Sequence, residues 1–358
     1  LFQKRNFVLR ITHRSKFYMG KVIAVCNQKG GTGKTTTAIN LAVYLALEER
    51  RVLLVDADPQ GNATSGLGVD KNVIEKSLYD LLISDEDIAS LTHKTAIENL
   101  DLVASNIDLI GAEIELVDVD GREGRLKKAI ASALDDYDYI IIDCPPSLGL
   151  ITLNALVATG CVIIPVQCEY YALEGLGQLT NTINLVRDRL NPALEIEGVL
   201  LTMADFRTNL TQEVINETRN FFGARVFDTV IPRSIRLSEA PGFGKPIHFY
   251  DKSSIGAQKY AALAKEVLTR SEGAAARGGA VVPEDVTAPG GASAPGGAAA
   301  AGGTGTSREA ATTEQFSVPE EAAVPEEAAV PAPRVEIPQE PEEPVAPCNE
   351  GDQAPARD

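Results

Sequence analysis

From about residue 20 to about 270, short runs of β-branched and aliphatic residues alternate with longer amphipathic ones. Val22–Val25, Arg51–Val55, Asp138–Ile142, Cys161–Val166 and Gly198–Leu201 are almost wholly apolar, the pattern of strands buried on both faces. Between and after them, Thr35–Glu49, Arg122–Leu134, Leu148–Ala158, Leu173–Leu190, Leu210–Phe222 and Gly256–Thr269 space their apolar positions as amphipathic helices do. Strands alternating with helices predict an α/β fold: a doubly wound, mostly parallel sheet with helices on both faces. Such a sheet binds its ligands at the carboxyl ends of its strands.

Both flanks break the pattern. Residues 1–18 are basic and aromatic, contain no acid, and end at Met19. They read as a start placed too early, with Met19 the true start, as a basic arm for nucleic-acid phosphate, or as a targeting peptide. From Ser271 the chain is rich in Gly, Ala, Pro and Glu, and Val318–Val330 carries an imperfect repeat. With so few large apolar side chains it cannot offset its ordering entropy. Residues 271–358 therefore read as a disordered acidic tail, either solvating or serving to dock a partner. The folded domain is expected at 19–270.

Composition changes this picture in two ways. The formal charge of −17 argues, taken alone, against nucleic-acid binding. Much of the acid sits in the tail, so charge has to be judged segment by segment. The five cysteines, Cys26, Cys144, Cys161, Cys168 and Cys348, form no CxxC pair, and four lie in or beside apolar runs. They read as small buried hydrophobes, in keeping with a reducing cytoplasm and without a disulfide framework or zinc site. No apolar stretch approaches the roughly 20 residues that span a bilayer.

The strongest chemical signal is Asn27-Gln28-Lys29-Gly30-Gly31-Thr32-Gly33-Lys34-Thr35-Thr36, between a strand pattern and a helix pattern. That is the setting of a P-loop, in which glycines let backbone N–H groups curl around phosphate oxygens at a helix start. Lys34 is expected to reach the β- and γ-phosphates, and the Thr35 hydroxyl to ligate Mg²⁺. The usual GxxxxGK[ST] spacing would place glycine at 28, where Gln stands, and Lys29 is an additional cation. Two later strand patterns end in acids, at Asp56-Ala57-Asp58 and at Asp143-Cys144-Pro145-Pro146. Asp143 is the candidate acid that holds Mg²⁺ through water, with Asp56 supporting the metal shell. Asp58 also reads as a turn or helix-capping residue.

The form KGGxGKT[ST] resembles the ParA/MinD group of deviant Walker P-loop ATPases. Arg51–Gly68, Asp143–Leu150, Pro165–Gly175 and Arg236–Pro241 resemble the ParA/Soj chromosome-partition proteins in particular, and the likeness runs from Met19 to about Thr269. It implies slow ATP hydrolysis with Mg²⁺, in which Lys29, Lys34 and Asp58 act. Lys29 would reach across an ATP-sandwiched homodimer to the partner's phosphates, and Asp58 would orient the attacking water. Nucleotide contacts would come from Lys29 through Thr36 (Gly30, Gly31, Thr32, Gly33, Lys34 and Thr35 between them), with Pro232 and Ser234 beside the adenine. Arg207 and Arg236 would bind DNA without sequence preference, and a ParB-like centromere-binding protein would stimulate hydrolysis. Gln167–Gly175 matches a nucleotide-sensing segment, or is a plain strand-to-helix connection with Tyr170 and Tyr171 packed inward. The likeness also implies a cytoplasmic, nucleoid-associated protein.

Other branches of the group fit less well. MinD-like proteins anchor to membranes through a basic amphipathic C-terminal helix, whereas this chain's last residues are rich in Pro and Glu. Iron–sulfur relatives need paired cluster cysteines, and the tyrosine autokinases a tyrosine-rich tail; residues 271–358 contain no tyrosine. A switch that positions a cargo other than DNA remains open.

Overall fold

The computed structural model describes the backbone of residues 20–84, 86–169 and 172–276, and their side chains except 172–175 and 274–276. The arm 1–18, the tail beyond 276, and Tyr170 and Tyr171 lie outside the described residues.

The strands are β1 (Lys21–Val25), β2 (Val52–Asp56), β3 (Thr92–Lys94), β4 (Leu100–Val103), β5 (Tyr139–Asp143), β6 (Cys161–Gln167) and β7 (Glu195–Thr202). The helices are α1 (Lys34–Leu47), α2 (Asn62–Gly66), α3 (Leu78–Ser84), α4 (Ile88–Leu91), α5 (Leu109–Glu115), α6 (Arg125–Ala131), α7 (Leu150–Ala158), α8 (Ala172–Arg189), α9 (Asn209–Phe222), α10 (Ile235–Glu239), α11 (Ile247–Tyr250) and α12 (Ile255–Ala276). The strands form one sheet in the order β3-β4-β2-β5-β1-β6-β7. All neighbours pair parallel except β3 with β4. The doubly wound architecture is therefore as expected.

Alternation along each strand feeds two cores. Val22, Ala24, Leu53, Val55, Ile140 and Ile142 point to one face, where α3 to α9 pack. Ile23, Val25, Val52, Leu54, Tyr139 and Ile141 point to the other, covered chiefly by α1 and α12. Burial on both faces explains why these strands contain so few polar residues.

Three differences from the sequence expectation have local causes. Strand β4 reads Leu-Asp-Leu-Val, and its apolar run is broken by Asp101. That carboxylate is buried and accepts from Lys94 Nζ at 2.7 Å and Tyr137 Oη at 2.8 Å, which is how a strand carries an interior acid. The helix expected over 122–134 is a 3₁₀ turn, Arg122–Gly124, followed by the shorter α6. Helix α12 does not stop at 270 but runs to Ala276. Lys21 Nζ donates to the Ser271 hydroxyl at 3.0 Å, and Arg50 lies 3.4 Å from the Glu272 carboxylate. Those two contacts tie the extra turn back to β1 and the end of α1.

Strands β1, β2, β5, β6 and β7 all end on the same edge. Register pairs Val25 with Asp143 and Asp56 with Asp143. The loop after β1 and the two acidic strand ends are thus neighbours by construction of the sheet.

Candidate phosphate-binding site

The loop between β1 and α1 is built to curl. Gly31 and Gly33 have φ of 72° and 87°, left-handed values that L side chains rarely adopt. No atom lies within 4 Å of where a Cβ would stand on Gly30 or Gly31, so the rim is open to a ligand. The first helical hydrogen bond runs from Thr37 N–H to Gly33 O at 2.9 Å. The amides before it have no partner within the helix and carry the positive end of its dipole. The loop is braced by β6 and β7. Asn27 accepts from Lys29 N–H at 3.0 Å and donates to Pro165 O at 2.7 Å. From the end of β7, the Thr202 hydroxyl donates to Thr32 O at 2.8 Å. Neither Asn27 nor Thr202 announces this in sequence, since each acts through a loop carbonyl or amide.

The two cations differ. Lys34 is buried, and its ammonium donates to Lys29 O at 3.2 Å. Burial lowers its pKa, and the nearby Asp143 and Asp58 oppose that shift. An anion in the loop would satisfy this charge. Lys29 is more exposed, and its ammonium lies 3.6 Å from the Glu169 carboxylate.

The acids also separate into distinct kinds. Asp143, at the end of β5, is fully buried, and neither carboxylate oxygen has a hydrogen-bond partner. Burial, reinforced by Asp56, raises its pKa well above the usual carboxylate range. The Thr35 hydroxyl works against that rise but falls short of a formed hydrogen bond. A buried carboxyl group with two open oxygens lacks the partners such groups ordinarily have, and a cation would fit there. Asp56, equally buried, is fully engaged: Thr64 N–H and Thr64 Oγ1 both donate to Oδ2 at 2.8 Å, and Asp58 N–H donates to Oδ1 at 3.2 Å. Burial raises the Asp56 pKa too, and these hydrogen bonds offset part of the rise. Asp58 accepts from Gln60 N–H at 2.9 Å, a side-chain turn, and stands near enough to Lys34 to favour its charge. It is not a helix cap, since Gly61 holds that position for α2.

The remaining residues lie in two settings. Pro232 bridges to Ala204, just past Thr202, and Arg233 N–H donates to Ala204 O at 3.1 Å. Pro232 and Ser234 therefore belong to a segment beside the β7 end that braces the loop. Arg207 and Arg236 are exposed, and each is held by acids of its own chain. Arg207 forks onto Asp205 at 2.8 and 2.6 Å. Arg236 donates to Glu239 at 3.0 Å and lies 3.6 Å from Asp251.

Comparison with known proteins fits this geometry. An AAA-domain family model matches residues 20–196. A crystal structure of cobyrinic acid a,c-diamide synthase from Mycobacterium smegmatis, with bound ADP and magnesium, aligns with a TM-score of 0.63 and 39% identity, covering 71% of this chain and 96% of that one. Chromosome partitioning protein ParA of Myxococcus xanthus is 54% identical over 252 residues, 70% of this chain and 89% of its own length. The sporulation initiation inhibitor protein Soj of Bacillus subtilis is 60% identical over 249 residues, 70% of this chain and 98% of its own length.

The chain belongs to the ParA/Soj family.

The match of this ParA/Soj chain to Soj spans nearly all of that protein's length. Among its described residues no helix is long and apolar enough to cross a membrane. Nor does any group of three or more His, Cys, Asp or Glu among them form a metal cage. Mg²⁺ in phosphate sites needs no such cage, because it takes one or two protein ligands and fills the rest with water and phosphate oxygen. The open Asp143 and the adjacent Thr35 fit that donor set.

Proposed function

We propose that this protein is an ATP-hydrolysing switch in chromosome or plasmid partition, with ATP as substrate and Mg²⁺ as cofactor. One observation carries the reading. The buried, unpartnered Asp143 carboxylate is the register neighbour of Val25, the last residue of the strand that leads into an open glycine loop, in a chain 60% identical to Soj.

In this reading the loop amides and Lys34 hold the β- and γ-phosphates. Thr35, and Asp143 through water, would hold Mg²⁺, which would supply positive charge beside the phosphate oxygens. Asp58, on its tight turn beside Lys34, orients the attacking water. With so little covalent work for the protein, the barrier is lowered by placement and by preorganised charge.

Lys29 extends the consequence to assembly. In a single chain it is paired with Glu169. ATP in a second copy offers a stronger anion, so nucleotide favours a homodimer in which each Lys29 reaches its partner's phosphates. That dimer presents Arg207 and Arg236 from both chains to DNA phosphate, which binds them without sequence preference and with strong salt dependence. A ParB-like partner stimulates hydrolysis and releases the dimer. The protein acts in the cytoplasm, on the nucleoid.

The test is co-sedimentation with DNA in ATP, in ADP and without nucleotide, at two salt concentrations. ATP-dependent, salt-sensitive binding is expected. ATP-dependent dimers that bind no DNA under any condition would replace this reading with one in which the switch positions another cargo.

A further inference from the structure

We infer that Thr64 is a positioning residue for ATP hydrolysis, acting through Asp56 on Asp58. The inference rests on the proposed role of Asp58 in orienting water, and it reassigns Asp56 from the metal shell to the support of the turn 58–61.

Thr64 sits in α2, fully buried, with every polar atom committed. Its N–H and hydroxyl both donate to Oδ2 of Asp56 at 2.8 Å. The same hydroxyl accepts from Ser105 N–H, just past β4, at 3.0 Å. The other Asp56 oxygen accepts from Asp58 N–H at 3.2 Å. One hydroxyl therefore joins the ends of β2 and β4 to the turn that carries Asp58.

That turn is itself tightly closed. Gly61 N–H donates to Asp58 O at 2.9 Å, and Gly61 has a φ of 60°. A Cβ at Gly61 would stand 2.8 Å from Ser105 O. The turn is thus wedged against the same β4 end that donates to Thr64. Asp56 cannot shift without moving the Asp58 backbone, and Thr64 supplies two of the three hydrogen bonds that hold Asp56.

None of these bonds goes to the glycine loop, so nucleotide binding and hydrolysis separate at this residue. Replacing the hydroxyl by a methyl of equal size leaves Asp56 with one donor fewer and Ser105 N–H without an acceptor. Both groups are buried, and both are driven to find new positions. A displacement of this kind by about 1 Å is enough to cost on the order of 100-fold in rate.

The experiment compares Thr64→Val, Thr64→Ser and Asp58→Ala in the full chain. It measures ATP turnover, equilibrium affinity for a fluorescent ATP analogue, and exchange of the Asp58 and Gly61 amide hydrogens without nucleotide. Thr64→Val is expected to lose turnover by roughly 10- to 100-fold while its affinity stays within about twofold. Exchange of both amides should quicken in Thr64→Val, and Thr64→Ser should restore exchange and turnover together. Wild-type turnover in Thr64→Val, or affinity lost in step with turnover, overturns the inference while leaving the role of Asp58 intact. Wild-type turnover in Asp58→Ala removes the hydrolytic reading and this inference with it. If Thr64→Val does not fold, Thr64→Ala, which adds no bulk, carries the same expectations.

Discussion

Lys29 and Glu169 form an ion pair within one chain, Nζ to Oε2 at 3.6 Å, joining the phosphate loop to the segment after β6. Glu169 is held in place by Gln167, whose amide nitrogen donates to its other oxygen and whose carbonyl accepts from its N–H. The lysine proposed to serve the partner's nucleotide is therefore occupied at home.

Releasing it has a measurable expectation. Glu169→Gln keeps the shape of the side chain and removes its charge. An ion pair as exposed as this one contributes about 0.2–1 kcal/mol. The ATP concentration that half-assembles the dimer should accordingly fall by about 1.4- to fivefold. Sedimentation velocity across an ATP titration checks this, and an unchanged midpoint means the pair does not compete with assembly.

Asp143 and Asp56 are register neighbours with opposite hydrogen-bond states. Asp143→Asn should leave nucleotide binding without its Mg²⁺ enhancement, with Mg²⁺ affinity of the nucleotide complex lower by on the order of tenfold or more. Asp56→Asn should leave the Mg²⁺ enhancement in place. Calorimetry with and without a chelator separates the two, and equal losses in both variants would return Asp56 to the metal shell.

The contrast between these acids shows what the sequence could and could not convey. Both end apolar strands, and nothing in the five residues either side distinguishes an open carboxylate from a saturated one. The distinction comes from Thr64, in the next short helix, and from Ser105, beyond a different strand. The glycine loop and the doubly wound order were legible because local periodicity and spacing encode them. Strand β4 was hidden because Asp101 interrupts its apolar run, and only Lys94 and Tyr137 make that acid tolerable. The Lys29–Glu169 pair spans most of the domain and leaves no local pattern at either end.

Gly198 tests the fold independently of the site. It lies in β7 beside the irregular step between Val162 and Ile163 of β6. A Cβ there would stand 2.8 Å from Cζ of Phe227, which is fully buried beneath the Arg270 guanidinium at 4.2 Å. The ring cannot retreat without breaking that stack. Gly198→Ala should destabilise the domain by about 1–3 kcal/mol, the usual effect of overpacking a close-packed core. Denaturant unfolding measures it, and a wild-type midpoint would mean that the strand and ring readjust freely.

Arg236 is the sharper test of the DNA face, because its guanidinium is already engaged by Glu239 and Asp251. Glu239 raises the arginine's pKa, with Tyr250 adding to the effect, so its charge is secure. What DNA must displace is the carboxylate, not a proton. Arg236→Ala should therefore weaken ATP-dependent DNA binding uniformly across sequences and reduce the magnitude of its salt slope by about 1. Glu239→Gln keeps an acceptor for Arg236 and for the Tyr250 hydroxyl, which now donates to Glu239 at 2.9 Å, but removes the competing charge. It should raise DNA affinity at low salt while leaving ATP-dependent dimerisation as in the wild type. Fluorescence anisotropy with a labelled duplex over a salt series reads both variants. Opposite shifts in affinity place Arg236 at the phosphate backbone. An Arg236→Ala protein with wild-type affinity and slope would take that residue off the DNA surface, leaving Arg207 and its Asp205 partner as the next pair to examine.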